Sequence, residues 1–241
     1  MILNGKVYQE IVSKSARAQN QLAILLDPDK LSREELVKRV NICQKSKVDY
    51  IFVGGSLITK NIDSCIQIIK DNSDKPVVIF PGHHSHISDK VDAILLLSLV
   101  SGRNAEFLIG KHVVAASQLY QSNLEIISTA YILIDGGRLS SVQYMSNTIP
   151  IPNTKPDIAV ATAIAGEMIG NKLIYLEAGS GAEISVSNEI ISAVKSKISC
   201  PLIVGGGIRN HQTINQKYSA GANIIVLGNI IEENPEMLMA E

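Results

Sequence analysis

Eight short apolar runs punctuate the chain, at positions 22–26, 50–53, 76–80, 93–97, 128–134, 173–176, 202–204 and 224–227. Most are stretches of Val, Ile and Leu without clean alternation, the pattern of strands buried on both faces. Helical patterns fill the intervals. Residues 32–46 open on Ser-x-x-Glu, a capping-box signature from Ser32 to Glu35. Residues 57–71 space Ile62, Ile66 and Ile69 along one face. Further helices are predicted over 104–120, 157–169 behind Pro156, 188–198, 211–220 and a C-terminal 234–239. The third connection breaks the rhythm: 82–91 holds three His and two Ser, and the expectation is a loop in place of a full helix. The first 20 residues predict an extra helix over the bottom of the sheet.

Strand–helix alternation implies right-handed βαβ units and a parallel sheet. Eight units favour closure into a (β/α)₈ TIM barrel, an α/β fold spanning residues 1–241 as one domain. Such barrels commonly use about 250 residues. An open doubly wound sheet would carry a glycine fingerprint after its first strand, where this chain has Asp27-Pro28-Asp29-Lys30. Prolines 150, 152 and 156 crowd a long connection after the fifth strand, and long loops in compact domains are more often functional than idle.

Composition narrows the partners. Charged residues make up 19% of the chain, below the usual share of about 25%. The formal net charge is -1 and no long basic run occurs, so nothing asks for nucleic acid. The apolar runs are far shorter than the ~20 residues of a membrane span, so stable membrane insertion is not expected. No secretion signal is legible at the N-terminus. The three cysteines, far apart and odd in number, read as free thiols of a reducing cytoplasm, which predicts a cytoplasmic protein.

In a barrel, chemistry sits where strands end and βα loops begin. The last two strands end in Gly205-Gly206-Gly207-Ile208-Arg209 and Gly228-Asn229, the layout of a phosphate site whose glycines let backbone N–H groups approach an anion. Asp27, at the end of the first strand, reads either as a turn residue or, with Ser56 after the second, as a holder of Mg²⁺. Lys30 reads as a phosphate contact or a surface lysine. Glu177 ends the sixth strand before a Gly-Ser-Gly loop; it can take a proton from a substrate hydroxyl or anchor that loop. Tyr175, two residues back, shares its side of the strand. His83, His84 and His86 lack a partner cluster for a metal and leave a structural, solvent-facing or diphosphate-contacting role open.

At these residues the sequence resembles the geranylgeranylglyceryl phosphate synthase family, which includes heptaprenylglyceryl phosphate synthases. The matching segments are Leu26 to Lys30, Val53 to Ser56, Phe80 to Gly82, Tyr175-Leu176-Glu177-Ala178-Gly179-Ser180-Gly181, Val204 to Arg209, and Gly228-Asn229. The Tyr-Leu-Glu-Ala-Gly-Ser-Gly run is the specific one, and it resembles the group II branch. The resemblance implies prenyl transfer from an isoprenoid diphosphate, geranylgeranyl diphosphate above all, to the 3-hydroxyl of sn-glycerol 1-phosphate, in ether phospholipid synthesis. It also implies Mg²⁺ on Asp27, Ser56 and the diphosphate. Glycerol 1-phosphate would lie on Tyr175, Leu176, Glu177, Ala178, Gly179, Ser180, Gly181, Gly206, Gly207, Gly228 and Asn229, with Glu177 and Tyr175 catalytic. A homo-oligomer, dimer or hexamer, is implied as well. The sequence departs from the family where His83 follows Pro81-Gly82, and it has no Trp. The same phosphate loops also suit a phosphosugar isomerase or aldolase, or a non-catalytic phosphate-binding barrel.

Overall fold

Hydrophobic parity sorts the strands into an inner and an outer set of side chains, and the sheet closes around the inner one. The structure, a computed structural model, describes residues 5–55 and 57–239. Its strands are β1 (Gln21–Leu26), β2 (Tyr50–Gly54), β3 (Val77–Phe80), β4 (Ala93–Leu99), β5 (Glu125–Leu133), β6 (Leu173–Glu177), β7 (Leu202–Gly205) and β8 (Ile224–Leu227). They pair in parallel in chain order, and β8 returns to β1 through Gln21↔Ile224 and Ile24↔Leu227. Tyr50, Phe52, Leu95, Tyr131, Tyr175 and Ile203 fill the interior. Their outward neighbours, among them Ile51, Val53, Ile132, Ile174 and Val204, pack beneath the helices. Both faces are therefore apolar, which is why the strands read as continuous runs.

The helices are α1 (Lys6–Ala16), α2 (Arg33–Lys45), α3 (Ile62–Asn72), α4 (Lys111–Gln121), α5 (Ser141–Ser146), α6 (Pro156–Met168), α7 (Asn188–Lys195), α8 (His211–Ser219) and α9 (Asn229–Glu233). The extra helix α1 closes the bottom, with Val7 and Ile11 joining the interior cluster. Gly5 has no side chain to cap it, and the buried Glu125 of β5 does so instead, accepting from Val7 N at 2.9 Å and Tyr8 N at 2.8 Å. The capping box of α2 is present: Glu35 N donates to Ser32 Oγ and Ser32 N to Glu35 Oε2.

The predicted strands appear with ends shifted by at most three residues, the largest shift being β5 at Glu125. No helix separates β3 from β4, as expected, and Leu96 on the outward side of β4 stays only half-buried. Four local details differ from the expectation. The helix predicted from 104 opens with a wide π-type turn, Glu106–Gly110, before α4. The helix predicted from 57 begins at Ile62, capped by Asn61. The connection after β5 carries α5 and a parallel bridge, Ile134↔Ile151, that closes its stem. The C-terminal helix is a short 3₁₀ turn, Pro235–Met239, preceded by the unforeseen α9. Cys43 and Cys65 are buried and Cys200 half-buried, all free. Among the described residues no helix is long and apolar enough to cross a membrane.

Candidate active site

The loops at the C-terminal ends of the strands surround a cavity of about 730 Å³. Its two sides differ in chemistry.

One side is a cradle built by the loops after β6, β7 and β8. The backbone there runs through positive φ at Gly179 (100°), Gly181 (72°), Gly206 (84°) and Gly207 (68°). Gly206 shows why a side chain is excluded: a Cβ would come 2.5 Å from Glu177 Oε1 and 2.7 Å from Gly179 N. Among the described residues the N–H groups of Gly181, Gly206 and Gly207 donate to no protein acceptor. Ser180 Oγ donates to Asn229 Oδ1 at 2.8 Å and ties the β6 loop to α9. Arg209 Nη2 donates to Ala182 O at 2.9 Å, so this guanidinium is spent on holding the β6 loop.

Across the mouth stands Asp27. Its Oδ1 accepts from Asp29 N at 3.1 Å and caps the 3₁₀ turn Pro28–Lys30. Its other oxygen faces the cavity rim, 2.9 Å from where a Cβ on Gly55 would stand. Burial pushes the Asp27 carboxyl up, against the pull of the Asp29 N–H and the charges of Lys30 and Lys60. The turn reading of Asp27 holds for one oxygen, and the other is left toward the cavity. Asp29 is a clasp: its carboxylate accepts from Thr59 N (2.7 Å), Thr59 Oγ1 (2.8 Å) and Lys60 N (2.9 Å), joining the β1 and β2 loops. Ser56, the other residue expected to hold Mg²⁺, lies outside the described residues. No group of three carboxylate, imidazole or thiol side chains that could hold a metal exists among the described residues. A lone carboxylate suits Mg²⁺ completed by substrate oxygens and water rather than a protein cage.

Tyr175 and Glu177 lie between the two sides, both inside the barrel as their spacing predicted. Glu177 Oε1 accepts from Gly179 N at 2.6 Å, so the residue does anchor its loop. A Cβ on Gly205 would meet Tyr175 Oη at 2.6 Å and Glu177 Oε2 at 2.8 Å, which puts the phenol and the second carboxylate oxygen at one spot. Burial pushes the Glu177 carboxyl up to about 7, with the Gly179 N–H and the Tyr175 hydroxyl pulling the other way. Burial and then the charge of Glu177 hold the Tyr175 phenol well above its ordinary value. The Tyr175 hydroxyl is buried without a well-aligned hydrogen bond.

Sequence reasoning missed Tyr131 and Phe80 as members of this site. Tyr131 is the register partner of Tyr175, with ring centroids 5.3 Å apart, and Phe80 stands 5.6 Å from Tyr175 and 5.8 Å from Tyr131. Their inward parity near strand ends was the available signal. Behind this trio a second, apolar groove of about 130 Å³ runs from Gly55 and Phe80 past Leu96 and Ile94 to Ala115 and Leu119. It occupies the gap left by the missing helix. His83 and His84 line this groove rather than the polar cavity, their rings 3.8 Å apart. His86 is buried beside them.

The chain matches the PcrB family over residues 15–241. It is 47% identical over 237 residues to the geranylgeranylglyceryl phosphate synthase of Chitinophaga pinensis, covering 98% of this chain and 94% of that one. The Pyrococcus furiosus protein of the same name is 40% identical over 230 residues, 95% of this chain and 90% of its own. Among solved structures, the (S)-3-O-geranylgeranylglyceryl phosphate synthase of Thermoplasma acidophilum in complex with sn-glycerol-1-phosphate superimposes with a TM-score of 0.92 at 33% identity, covering 98% of this chain and 95% of that one. The N-acetylmannosamine-6-phosphate 2-epimerase of Clostridium perfringens, at 13% identity and a TM-score of 0.58, shares the fold alone. With its sequence matched almost throughout and its fold superimposed over nearly its whole length, the chain belongs to the PcrB family, the prenyltransferase family of the geranylgeranylglyceryl phosphate synthases.

Proposed function

We propose that this enzyme joins geranylgeranyl diphosphate to the 3-hydroxyl of sn-glycerol 1-phosphate and releases diphosphate. The observation that carries the reading is the position of Glu177, buried between a glycine cradle and the Asp27 carboxylate with its own carboxyl at about 7. The cradle's free N–H groups take the acceptor's phosphate and leave its far hydroxyl toward Tyr175 and Glu177. In the transfer the acceptor oxygen forms a bond to the first prenyl carbon. The carbon–oxygen bond to diphosphate breaks, and its electron pair leaves with the diphosphate. The hydroxyl proton passes to Glu177, whose raised pKa suits a base working near neutrality. Asp27, with Ser56 two residues after the end of β2 in sequence, fits Mg²⁺, which when bound neutralises the charge of the departing diphosphate. The faces of Phe80, Tyr131 and Tyr175 offer π density to the positive charge that develops on carbon. The apolar groove along β4 takes the prenyl tail.

None of the eight strands carries a lysine, so the aldolase reading lacks its Schiff-base nucleophile. The test incubates the protein with glycerol 1-phosphate, Mg²⁺ and radiolabelled prenyl diphosphates of several lengths, followed by organic extraction. A labelled lipid phosphate, formed best from the geranylgeranyl donor and lost with chelator, is expected. No product from any donor would overturn the reading.

A further inference from the structure

Three arginines and lysines line the cavity at its polar side, and their employment differs. Arg209 is committed to the carbonyls of Ala182 and Glu183. Lys30 stands near Asp27, where its charge opposes the burial that pushes that carboxyl up. Arg138 lines the same cavity, is exposed, and among the described residues has neither a hydrogen-bond nor an ion-pair partner.

Its placement is fixed from both sides. Asp135 Oδ1 accepts from Gly137 N at 3.0 Å and turns the chain back after β5. Gly136 O accepts from Glu183 N at 2.9 Å and Ile184 N at 3.0 Å, pinning the β5 loop to the β6 loop. That seat is open only to glycine, since a Cβ on Gly136 would come 2.3 Å from Ala178 O. Two residues beyond Arg138, Ser140 packs so closely on Gly179 that a Cβ there would meet Ser140 Cβ at 2.6 Å. Residues 136 and 140 thus clamp the loop against the cradle and leave the side chain between them to reach over it. A Cβ on Gly181 would lie 3.9 Å from Arg138 Nη1 and 3.5 Å from Asn229 Nδ2. The Ser180–Asn229 hydrogen bond uses the amide oxygen of Asn229 and turns its Nδ2 donors to that same point. A guanidinium and an amide, both with unspent donors, converge above backbone N–H groups that are themselves unspent.

We infer that Arg138 is a substrate-binding residue, the cationic cap that closes the acceptor's phosphate site with Asn229. The inference rests on the proposed function for the identity of the acceptor, but the site itself calls only for a phosphate dianion. Backbone N–H groups supply partial charges; a full cation with a planar fork matches phosphate oxygens in pairs. Arg138 therefore sets the preference for a phosphorylated acceptor.

The test is calorimetric titration of the full chain and of Arg138→Gln and Arg138→Lys, using sn-glycerol 1-phosphate and inorganic phosphate as separate probes, with KM measured for both substrates. Arg138→Gln is expected to weaken glycerol 1-phosphate binding roughly 10- to 100-fold and to raise its KM alike, with the KM of the prenyl donor unchanged. Arg138→Lys, which keeps the charge without the fork, is expected to fall between; it also serves as the test variant if the Gln substitution does not fold. A folded Arg138→Gln that binds glycerol 1-phosphate as tightly as the native chain overturns the inference and leaves the proposed function standing. Arg138-dependent binding of inorganic phosphate with no affinity for glycerol 1-phosphate overturns the proposed acceptor and leaves the role of Arg138 standing. A native chain that binds neither overturns both.

Discussion

Glu177→Gln separates the price of burying a titratable base from its use. The native carboxyl titrates at about 7 where an ordinary glutamate titrates at 4.5, and burial is the main cause. At about 1.4 kcal/mol per pH unit, the folded chain prefers the protonated side chain by about 3 kcal/mol. Between 4.5 and about 7 the native protein holds a proton that the unfolded chain has released. Stability from this residue is thus complete below 4.5, falls as pH rises and is lost above about 7. Turnover runs the other way, because a base accepts a proton only when ionised, so activity rises through the same range. Gln has nearly the same shape and cannot titrate. Reversible urea unfolding of both proteins at intervals from about pH 5 to about pH 8 reads the difference, in which all other titrating groups cancel. The native chain is expected to lose about 2.5 kcal/mol relative to the variant across that range. Parallel stability curves would refute the raised pKa. A variant that retains turnover within a few fold of native would refute the base, which is expected to contribute at least about 10²-fold.

The other predictions concern the two sides of the cavity and the groove. Asp27→Asn keeps an oxygen to accept from Asp29 N, so the turn and the melting temperature are expected to survive while the Mg²⁺ concentration giving half-maximal activity rises at least about tenfold; an unchanged Mg²⁺ titration would remove Asp27 from metal binding. Gly206→Ala places a Cβ 2.5 Å from Glu177 Oε1 at φ +84°, and thermal melting should show a loss of at least about 1–2 kcal/mol with turnover falling further as Glu177 is displaced. Ala115→Phe fills the inner end of the apolar groove, so competition between geranyl and geranylgeranyl diphosphate should shift at least about tenfold toward the shorter donor; an unaltered ratio would place the tail elsewhere.

The strands were legible because a parallel barrel buries both faces, leaving long apolar runs that turn residues cut cleanly. Where the reading fell short, a polar residue was serving an unseen partner. Glu125 looks like a loop residue, yet it opens β5 because α1 needs an acceptor for its first N–H groups. Helix α5 is six residues long, too short for a period to show, although Ser140 caps it and Asn147 ends it in the left-handed region. The cradle was legible because glycines and an acid at strand ends leave few alternatives. Tyr131 was not, since an aromatic within a strand reads as core until the register sets it against Tyr175. The Asp29 clasp depends on a loop 30 residues away in sequence, and no local pattern announces it.

The half-buried Leu96 on the outer side of β4 has a thermodynamic consequence. A barrel strand normally exchanges its contact with water for contact with a helix, but Leu96 keeps part of its surface exposed along the groove. An apolar guest that lies along this strand would cover that surface. Its binding should carry a negative heat-capacity change that grows with every methylene placed on the wall. The melting temperature should climb with guest length until the groove is full, because a ligand that binds only the folded state raises its stability. The length at which that climb stops measures the groove from within, without any reaction having to take place.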